Sequence, residues 1–258
     1  MTTTLPHATP FSADNALPRL TPPTSRLQQA LLGMLAEEAP SATGRLPSER
    51  QMMERFSTTR ITLREALMQL EAEGRIYRES RRGWFVSPPR LRYDLLASLP
   101  FKEMVASQQR CPETEVLKAT QCPAQPKVAA RLGILEGAPV FHIIRARRID
   151  GRPVLYVEHY LRADCFPGIL AHDLVTCSLT ELYRSHYGIR ISRVSFELCS
   201  TVLHCRAAEA LRAASGGPAQ RVTRINYDQN GRAIDYDDEL WRHDAIELTV
   251  SAAPQSSA

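Results

Sequence analysis

The sequence predicts two domains, an N-terminal unit of three helices and a β-hairpin followed by an α+β domain built on an antiparallel sheet. Apolar residues recur at helical spacing from residue 27 to residue 70, which favours the helical unit. The dipeptides Asp150-Gly151 and Asn230-Gly231 each lie between alternating apolar runs, and such two-residue turns join antiparallel strands. A chain of 258 residues with 43% hydrophobic composition is long enough to bury two cores.

Changes in composition divide the chain into five predicted segments. The first carries five prolines among Thr, Ser and Ala, which predicts a disordered arm. The consecutive prolines Pro88 and Pro89 favour a linker between the domains. The predicted segments are an arm over residues 1–24, the helical unit over 25–87, a linker over 88–98, the α+β domain over 99–251 and a disordered tail over 252–258.

Each helix of the first domain has start and stop signals. Ser25 is a plausible N-cap for the first helix, and Pro40 prevents its continuation. Ser48 followed by Gln51 predicts a capping box for the second helix. The third helix follows the hydroxyls of residues 57–59, ends at Gly74 and buries a stripe of Leu63, Ala66, Leu67 and Leu70.

A small hairpin follows the third helix, because two short apolar runs lie on either side of the polar turn at residues 81–83. Three helices and a hairpin are the plan of a winged helix-turn-helix, in which the hairpin is the wing. Arg81 and Arg82 place two cations on the tip of this wing.

The excess positive charge lies mainly in this domain. Residues 25–90 hold 11 Lys and Arg against 8 Asp and Glu, a net charge of +3, whereas residues 91–258 hold 20 against 19. Arg60 and Arg64 lie one turn apart on the face opposite the apolar stripe, a pattern that also suits an ordinary solvated helix. Their position at the N-terminal end of the third helix, the end that enters the major groove in this motif, favours a DNA-contacting face.

The segment LPSER...F...R.TLREAL..LE.EG.I.R...RGWFV, within residues 25–90, resembles the winged helix-turn-helix of the GntR family of bacterial transcription regulators. The resemblance implies DNA contacts by the second and third helices, and it places the wing tip in or along the minor groove. The chain has Arg81 where the family usually has glycine. The expected DNA-binding residues are Arg50, Thr59, Arg60, Thr62, Arg64, Arg81, Arg82 and Gly83. Because one such helix reads only a few base pairs, we expect a homodimer on a near-palindromic operator of double-stranded DNA.

The second domain alternates predicted strands and helices. A helix is expected over Pro126 to Leu132, another within residues 206–217, and a third that begins at Ser178 with a capping box to Glu181 and ends at Gly188. Tight hairpins on either side of these helices require antiparallel pairing, which indicates an α+β domain.

The first hairpin of this domain predicts a binding face. A two-residue turn pairs Ile149 with Arg152, and it therefore pairs Arg145 with Tyr156 and Ile143 with Glu158. Arg145, Arg147, Tyr156 and Glu158 would then share one face of the sheet. That face is either simply solvated or a clamp for an anion, since guanidinium groups suit phosphate, phosphonate and carboxylate. Ser178 would either add to the clamp from a helix N-terminus or only cap its helix.

Residues 95–250, with "PVLYVEHYL", "FPGIL", "SLTELY..HYGI" and "AIDYDDELWRHDAIEL", resemble the UTRA ligand-binding domain of the HutC branch of GntR regulators. The resemblance implies the fold of chorismate lyase and a small anionic effector, with a phosphonate such as 2-aminoethylphosphonate favoured by "RGWFVSPPRLRYD" and "WRHDAI". Sugar phosphates are effectors elsewhere in the branch, and a sugar phosphate or a carboxylate stays open as the effector. The expected effector-binding residues are Phe101, Arg145, Arg147, Glu158, Ser178, Asp235, Tyr236 and Trp241.

Other classes of protein are less favoured by the sequence. No run of 18 apolar residues exists, and the N-terminus lacks the pattern of a signal peptide, so we expect a cytoplasmic chain with no membrane partner. The six cysteines form no CxxC pair, so we expect reduced thiols with neither a metal site nor a cofactor. A chorismate-lyase-like enzyme is the weaker alternative, because a fold does not imply a function.

Overall fold

The computed structural model describes residues 23–37, 44–97 and 99–251. The predicted arm up to residue 22, the predicted tail and Pro40 lie outside these residues. The first domain contains α1 (Pro23–Glu37), α2 (Glu49–Phe56), α3 (Arg60–Ala72), β1 (Ile76–Glu79) and β2 (Gly83–Val86). This is the predicted order of three helices and a hairpin.

The helix boundaries of the first domain follow local hydrogen bonding. The predicted capping box is present, since the N–H of Gln51 donates to Oγ of Ser48 and the N–H of Ser48 donates to Oε1 of Gln51 at 2.9 Å. The prediction of Ser25 as an N-cap was wrong, because α1 begins at Pro23 and Ser25 is inside the helix. Proline suits a first helical position, where no partner exists for an N–H group.

One apolar cluster joins the three helices and the wing. Leu31, Met52 and Leu67 are fully buried in it, and Trp84 of β2 closes it from the wing side. The antiparallel wing pairs Tyr77 with Phe85, whose rings stack at 5.3 Å. The wing is therefore part of the core that positions α3.

The second domain is a six-stranded antiparallel sheet with helices on both faces. Its sheet order is β4-β5-β6-β9-β8-β7. Apolar clusters lie on each face, one set under α4 and α6 and the other under α5 and α7. The elements are β3 (Leu91–Asp94), α4 (Phe101–Ala106), β4 (Pro112–Pro123), α5 (Pro126–Leu132), β5 (Pro139–Ile149), β6 (Arg152–Arg162), a 3-10 helix (Ile169–Ala171), α6 (Leu179–Tyr187), β7 (Arg193–Val202), α7 (Cys205–Ala210), β8 (Pro218–Tyr227), β9 (Ala233–Arg242) and β10 (Ile246–Thr249).

Part of the predicted linker belongs to the folded second domain. Within residues 88–98, β3 pairs in parallel with β10, and its Leu91 and Tyr93 are buried against Phe101 and Trp241. Ser98 lies outside the described residues. The prediction of irregular chain was correct at Pro88 and Pro89. The strand β3 was missed because its partner β10 is more than 150 residues away in the sequence, and no local pattern predicts that pairing.

The predicted register of the first hairpin was wrong beyond its turn. Ile149 pairs with Arg152 as expected, but a β-bulge between Arg147 and Arg148 shifts every later pair by one residue. Arg145 therefore lies opposite Val157 rather than Tyr156. Because side chains alternate along a strand, this one-residue shift moves the whole following set to the other face.

A buried carboxylate joins the two domains. Asp244, in the turn between β9 and β10, is fully buried and pairs with the guanidinium groups of Arg152 and Arg242. Its Oδ2 also accepts a hydrogen bond at 3.2 Å from the hydroxyl of Ser87, which follows the wing. Burial raises the pKa of the Asp244 carboxyl, but the two arginines outweigh burial and the net shift is downward. The carboxyl is therefore ionised at neutral pH at the domain junction.

The same junction holds both the base and the turn of the wing. The guanidinium of Arg152 lies 3.7 Å from the centroid of the Tyr77 ring, which is a cation–π contact. His243 donates from Nε2 to the carbonyl oxygen of Glu71 at 2.8 Å, and the N–H of Ser80 donates to the carbonyl oxygen of Arg212 at 2.9 Å. The DNA-binding unit thus rests on one end of the sheet.

Among the described helices, none is both long and apolar enough to cross a bilayer.

Asp244→Ala should destabilise the folded chain by roughly 3 kcal/mol or more, because it leaves Arg152 and Arg242 buried without a counter-charge. Asp164→Ala is the matched control, since Asp164 pairs with Arg162 but its side chain is 60% exposed, and such a pair contributes about 1 kcal/mol or less. Urea denaturation followed by circular dichroism measures both. Equal losses in the two variants would contradict the assigned importance of Asp244.

Candidate DNA-binding surface and ligand cavity

The exposed face of α3 carries two arginines held by one carboxylate. Oε2 of Glu49 lies 3.0 Å from Nε of Arg64 and 3.7 Å from Nε of Arg60. Trp84 of the wing donates from Nε1 to the other oxygen of Glu49 at 3.3 Å. Partial burial raises the pKa of this carboxyl, but the hydrogen bonds from Trp84 and Arg64 outweigh burial and lower it. Glu49 therefore stays ionised and orients both arginines.

The arginines remain accessible despite this carboxylate. The side chains of Arg60 and Arg64 are 66% and 45% exposed, and that of Arg50, paired with Glu54, is 76% exposed. All three lie at or beside the N-terminal end of α3 or on α2 next to it. The structure thus places three of the five arginines that the sequence assigned to DNA on adjoining parts of α2 and α3.

The two threonines predicted to contact DNA form the start of α3. Thr59 is the N-cap, and its hydroxyl oxygen accepts a hydrogen bond from the N–H of Thr62 at 3.3 Å. The hydroxyl oxygens of Thr59 and Thr62 are also 3.0 Å apart. Thr59 therefore stabilises the N-terminus of α3 as its N-cap, in addition to any contact with a phosphate.

The wing tip adopts a glycine-like backbone at Arg81. Its φ of 63° lies in the left-handed region, where a non-glycine residue costs roughly 1 kcal/mol. Gly83 follows with a φ of 103°. Arg82 pairs with Glu79 at 2.5 Å and lies 5.6 Å from the centroid of the Phe85 ring, so the second arginine is held against the wing. Arg81 is exposed at the tip.

A cavity of about 390 Å³ opens on one face of the large sheet in the second domain. It lies between β5, β6, β8 and β9 on one side and α4 with the start of α6 on the other. Six of the eight predicted effector-binding residues line it: Phe101, Arg145, Arg147, Ser178, Asp235 and Trp241. Among the charged or titratable lining residues that the prediction missed are His159, Arg224, Asp237 and Glu239.

A chain of hydrogen bonds fixes the most buried arginine of the cavity. Arg145 is 2% exposed and donates to Nε2 of His159 from Nε at 3.1 Å and from Nη2 at 2.9 Å. Since Nε2 accepts, Nδ1 carries the proton and donates to Oδ1 of Asp237 at 2.5 Å. Burial and the nearby arginines lower the pKa of His159 well below its usual range. His159 is therefore a neutral relay that connects Arg145 to Asp237.

Two further guanidinium groups face the cavity. Arg147 donates to Oγ1 of Thr114 at 3.4 Å, and its guanidinium lies 4.7 Å from the centroid of the Phe101 ring. Burial and then Arg145 lower the pKa of Arg147. Nε of Arg224 lies 3.3 Å from Oδ2 of Asp237. Burial lowers the pKa of Arg224, but the surrounding carboxylates outweigh it and raise the pKa overall.

Three carboxyl groups of β9 face these arginines at alternate positions. Asp235 accepts from Nδ2 of Asn226 at 2.6 Å, and Glu239 accepts from Nε1 of Trp241 at 2.7 Å. Burial raises the pKa of Asp235 and of Glu239 to about 7 each, and it also raises the pKa of Asp237. The sequence "IDYDDELW" contains these alternating acidic residues. They can be recognised as one buried face only when the segment is known to be a buried strand.

The structure does not bring Glu158 and Tyr236 to the cavity. Both lie on the opposite face of the sheet, because of the bulge in the case of Glu158 and of strand alternation in the case of Tyr236. There Glu158 accepts hydrogen bonds from His142 at 2.9 Å, Tyr160 at 2.7 Å and Tyr156 at 3.0 Å. The hydrogen bond from His142 is the main cause that lowers the pKa of Glu158 to about 2. Glu158 belongs to a satisfied structural network.

Ser178 lines the cavity without capping its helix. It is the N-cap residue of α6, but its side chain makes no cap hydrogen bond, so the predicted capping box with Glu181 was wrong. Its hydroxyl is therefore available on the cavity wall beside the N-terminus of a helix. The described residues contain no cluster of three or more His, Cys, Asp and Glu side chains that could hold a metal ion.

Comparisons with known proteins match both domains. The family described as "Bacterial regulatory proteins, gntR family" matches residues 23–86, and the UTRA domain matches residues 107–247. The chain is 30% identical to the probable transcriptional regulator PhnF of Escherichia coli K12 over 80% of this chain and 85% of that protein. It is 28% identical to the transcriptional regulator YihL of the same organism over 81% of this chain and 88% of YihL.

Solved structures agree with these sequence relatives. The crystal structure of PhnF from Mycobacterium smegmatis is similar with a TM-score of 0.63 and 28% identity, and the similarity covers 89% of this chain and all of that one. These relatives are transcription regulators rather than enzymes.

Glu239→Gln should remove a pH-dependent destabilisation. A carboxyl whose pKa is raised in the fold favours folding below its ordinary pKa near 4.5, and this contribution is lost as the pH rises through about 7. The stability of Glu239→Gln relative to the parent should therefore rise between pH 5 and pH 8, by up to about 1.4 kcal/mol per pH unit. Denaturant titrations at each pH measure it.

Glu158→Gln is the control of opposite sign for that series. Its pKa is lowered to about 2, so the stability from its charge is constant above pH 5 and is lost only as the pH falls below 4.5. The variant should be less stable than the parent by an amount that does not change between pH 5 and pH 8. A flat difference for Glu239→Gln as well would contradict the raised pKa of Glu239.

Proposed function

The chain belongs to the gntR family of bacterial regulatory proteins and carries a UTRA domain, and we propose that it is a homodimeric transcription regulator whose operator binding responds to a small anion-bearing metabolite. It binds a near-palindromic operator through α3 and the wing, and it binds the metabolite in the cavity of the second domain. The protein acts in the cytoplasm.

The DNA-binding half of the proposal rests on the arrangement around Glu49. An arginine that is oriented before binding loses less side-chain entropy when it contacts a base or a phosphate. Arg60 and Arg64 meet that condition while more than two fifths of each side chain stays exposed. Bidentate contacts to guanine give sequence preference, and the exposed wing-tip Arg81 adds affinity for phosphates.

The observation that carries the effector half is the balance of charge in the cavity. The cavity is lined by three guanidinium groups, the ammonium group of Lys102 and four carboxyl groups, so it offers partners for an anion and for an amine. Arg147 lies toward the cavity with Thr114 as its hydrogen-bond acceptor, and it is the best placed to grip an anionic group. Asp235 or Glu239 would receive the amine, because a nearby ammonium favours the ionised form of either carboxyl.

A phosphonate that carries an amine, such as 2-aminoethylphosphonate, fits this balance. The similarity to two proteins named PhnF supports the choice. A sugar phosphate is the second candidate, because a volume of about 390 Å³ accommodates a ligand larger than a two-carbon phosphonate. Either ligand would act by its different affinity for two arrangements of the domains, an effect of typically 1 to 3 kcal/mol.

Arg60→Ala and Arg147→Ala should separate the two activities. Arg60→Ala removes a base-contacting side chain, so it should abolish specific DNA binding and leave ligand-induced thermal stabilisation intact. Arg147→Ala should do the reverse. Fluorescence anisotropy with promoter DNA measures the first activity, and thermal denaturation with added ligand measures the second.

Two matched controls keep this test specific. Arg92→Ala removes one exposed positive charge from β3, away from α3, and should leave DNA binding unchanged. Arg148→Ala removes the neighbour of Arg147 that pairs with Glu115 at the sheet surface, and should leave ligand binding unchanged. Loss of both activities in both test variants would show that the division into two sites is wrong.

Ligand chemistry is tested by thermal denaturation of the full chain with related compounds. We expect 2-aminoethylphosphonate to raise the melting temperature more than ethylphosphonate, which lacks the amine. It should also raise the melting temperature more than ethylamine, which lacks the phosphonate group. A larger shift with glucosamine 6-phosphate would replace the phosphonate by the sugar phosphate. If none of these compounds stabilises the protein, the effector half of the proposal is wrong for both ligand classes.

A further inference from the structure

An exposed isoleucine lies on the face of α3 that is proposed to contact DNA. Ile61 is 73% exposed in the first turn of the helix, directly between Arg60 and Thr62. At about 100° per residue it lies on the side opposite the buried stripe of Leu63, Ala66, Leu67 and Leu70. It is therefore the outermost side chain of the turn that carries the arginines.

Packing within the chain does not account for this isoleucine. A β-branched residue has a lower helix propensity than Lys, Glu or Gln. An apolar side chain that stays in water also contributes no burial free energy to folding. The neighbour Glu65, one turn later, is turned toward α1 by a hydrogen bond from Thr24 at 3.3 Å, so it leaves Ile61 uncovered. A single exposed apolar residue is common on protein surfaces, but Ile61 stands on the face where a ligand is expected.

The surroundings of Ile61 favour DNA as the occupant over a protein. Arg60 precedes it and Arg64 lies one turn later, so two exposed guanidinium groups share its part of the helix, and the N-terminus of α3 adds a partial positive charge. An anionic polymer suits that charge. The apolar group that B-DNA presents in its major groove is the 5-methyl group of thymine.

We propose that Ile61 determines operator specificity by packing against a thymine methyl group, beside the base pair that the α3 arginines contact. This inference rests on the proposed function, in which α3 enters the major groove. Each half-site then contains a thymine whose methyl group contributes to affinity although it makes no hydrogen bond. Ile61 supplies this apolar contact, while the neighbouring arginines of α3 supply hydrogen bonds and positive charge to the DNA.

The test compares thymine with deoxyuracil, which keeps the hydrogen bonds of thymine and lacks only the methyl group. Duplexes are first enriched by the full-length protein from a pool with a randomised centre, and each thymine of the selected half-site is then replaced by deoxyuracil. One replacement should weaken binding of the parent protein about fourfold, the factor that burial of one methyl group gives, and replacement in both half-sites should weaken it roughly fifteenfold.

Variants assign this discrimination to Ile61. Ile61→Ala should bind the thymine and deoxyuracil duplexes with affinities within about twofold of each other, whereas Ile61→Val should keep a reduced preference for thymine. Met68→Ala is the matched control, because Met68 is 64% exposed on the same face but lies about 10 Å further along α3. It should keep the full preference of the parent.

The outcomes separate this inference from the proposed function. If Arg60→Ala loses binding while Ile61→Ala keeps the parent's preference for thymine, Ile61 is not the reader and only the inference is overturned. The inference also fails if no deoxyuracil replacement weakens the parent. If no duplex is enriched, or if Arg60→Ala binds like the parent, α3 does not read DNA and the proposed function fails with it.

Discussion

The second domain depends on the compensation of three guanidinium groups at one face of its sheet. Placing Arg145, Arg147 and Arg224 there requires opposite charges nearby, because an unpaired buried charge costs several kcal/mol. Strand β9 meets this requirement with carboxyl groups at alternate positions, and His159 links the deepest arginine to one of them. The same charged groups line the cavity, where they pair with one another instead of packing into an apolar core.

Strand β9 also connects the cavity to the DNA-binding unit. It carries Asp235, Asp237 and Glu239 at the cavity and ends at Arg242, which pairs with Asp244 at the domain junction. A ligand that changes the charge pairing along β9 acts on the strand that leads directly to the base of the wing. This continuity is a physical route for coupling, and its strength is the difference in ligand affinity between two domain arrangements.

Local signals predicted local structure well. The capping box at Ser48, the stop at Gly74 and the two-residue turn at residues 150–151 each depend on a few neighbouring residues, and all are present. The second hairpin also forms, but its connection is longer than the two-residue turn predicted at residues 230–231, because the strands pair only as far as Tyr227 and Ala233. The failures have long-range causes. The bulge at Arg147 moved Glu158 to the far face, and β3 needs a partner from the other end of the chain. The roles of His159 and Arg224 follow from burial and pairing across strands, which spacing along the chain does not reveal.

The geometry around Glu49 also bears on the proposed dimer, in which two DNA-binding units act together. Glu49 orients Arg60 and Arg64, but its negative charge cancels part of the field that attracts phosphates. One unit therefore has oriented arginines but a lower affinity for DNA. It also reads only the few base pairs under one helix turn. In the proposed dimer, two units on a symmetric site would recover the affinity, since the second binds at a high effective concentration once the first is in place. Tight operator binding would then depend on the spacing of the two units, which is the quantity that a ligand of the second domain would change in the proposed mechanism.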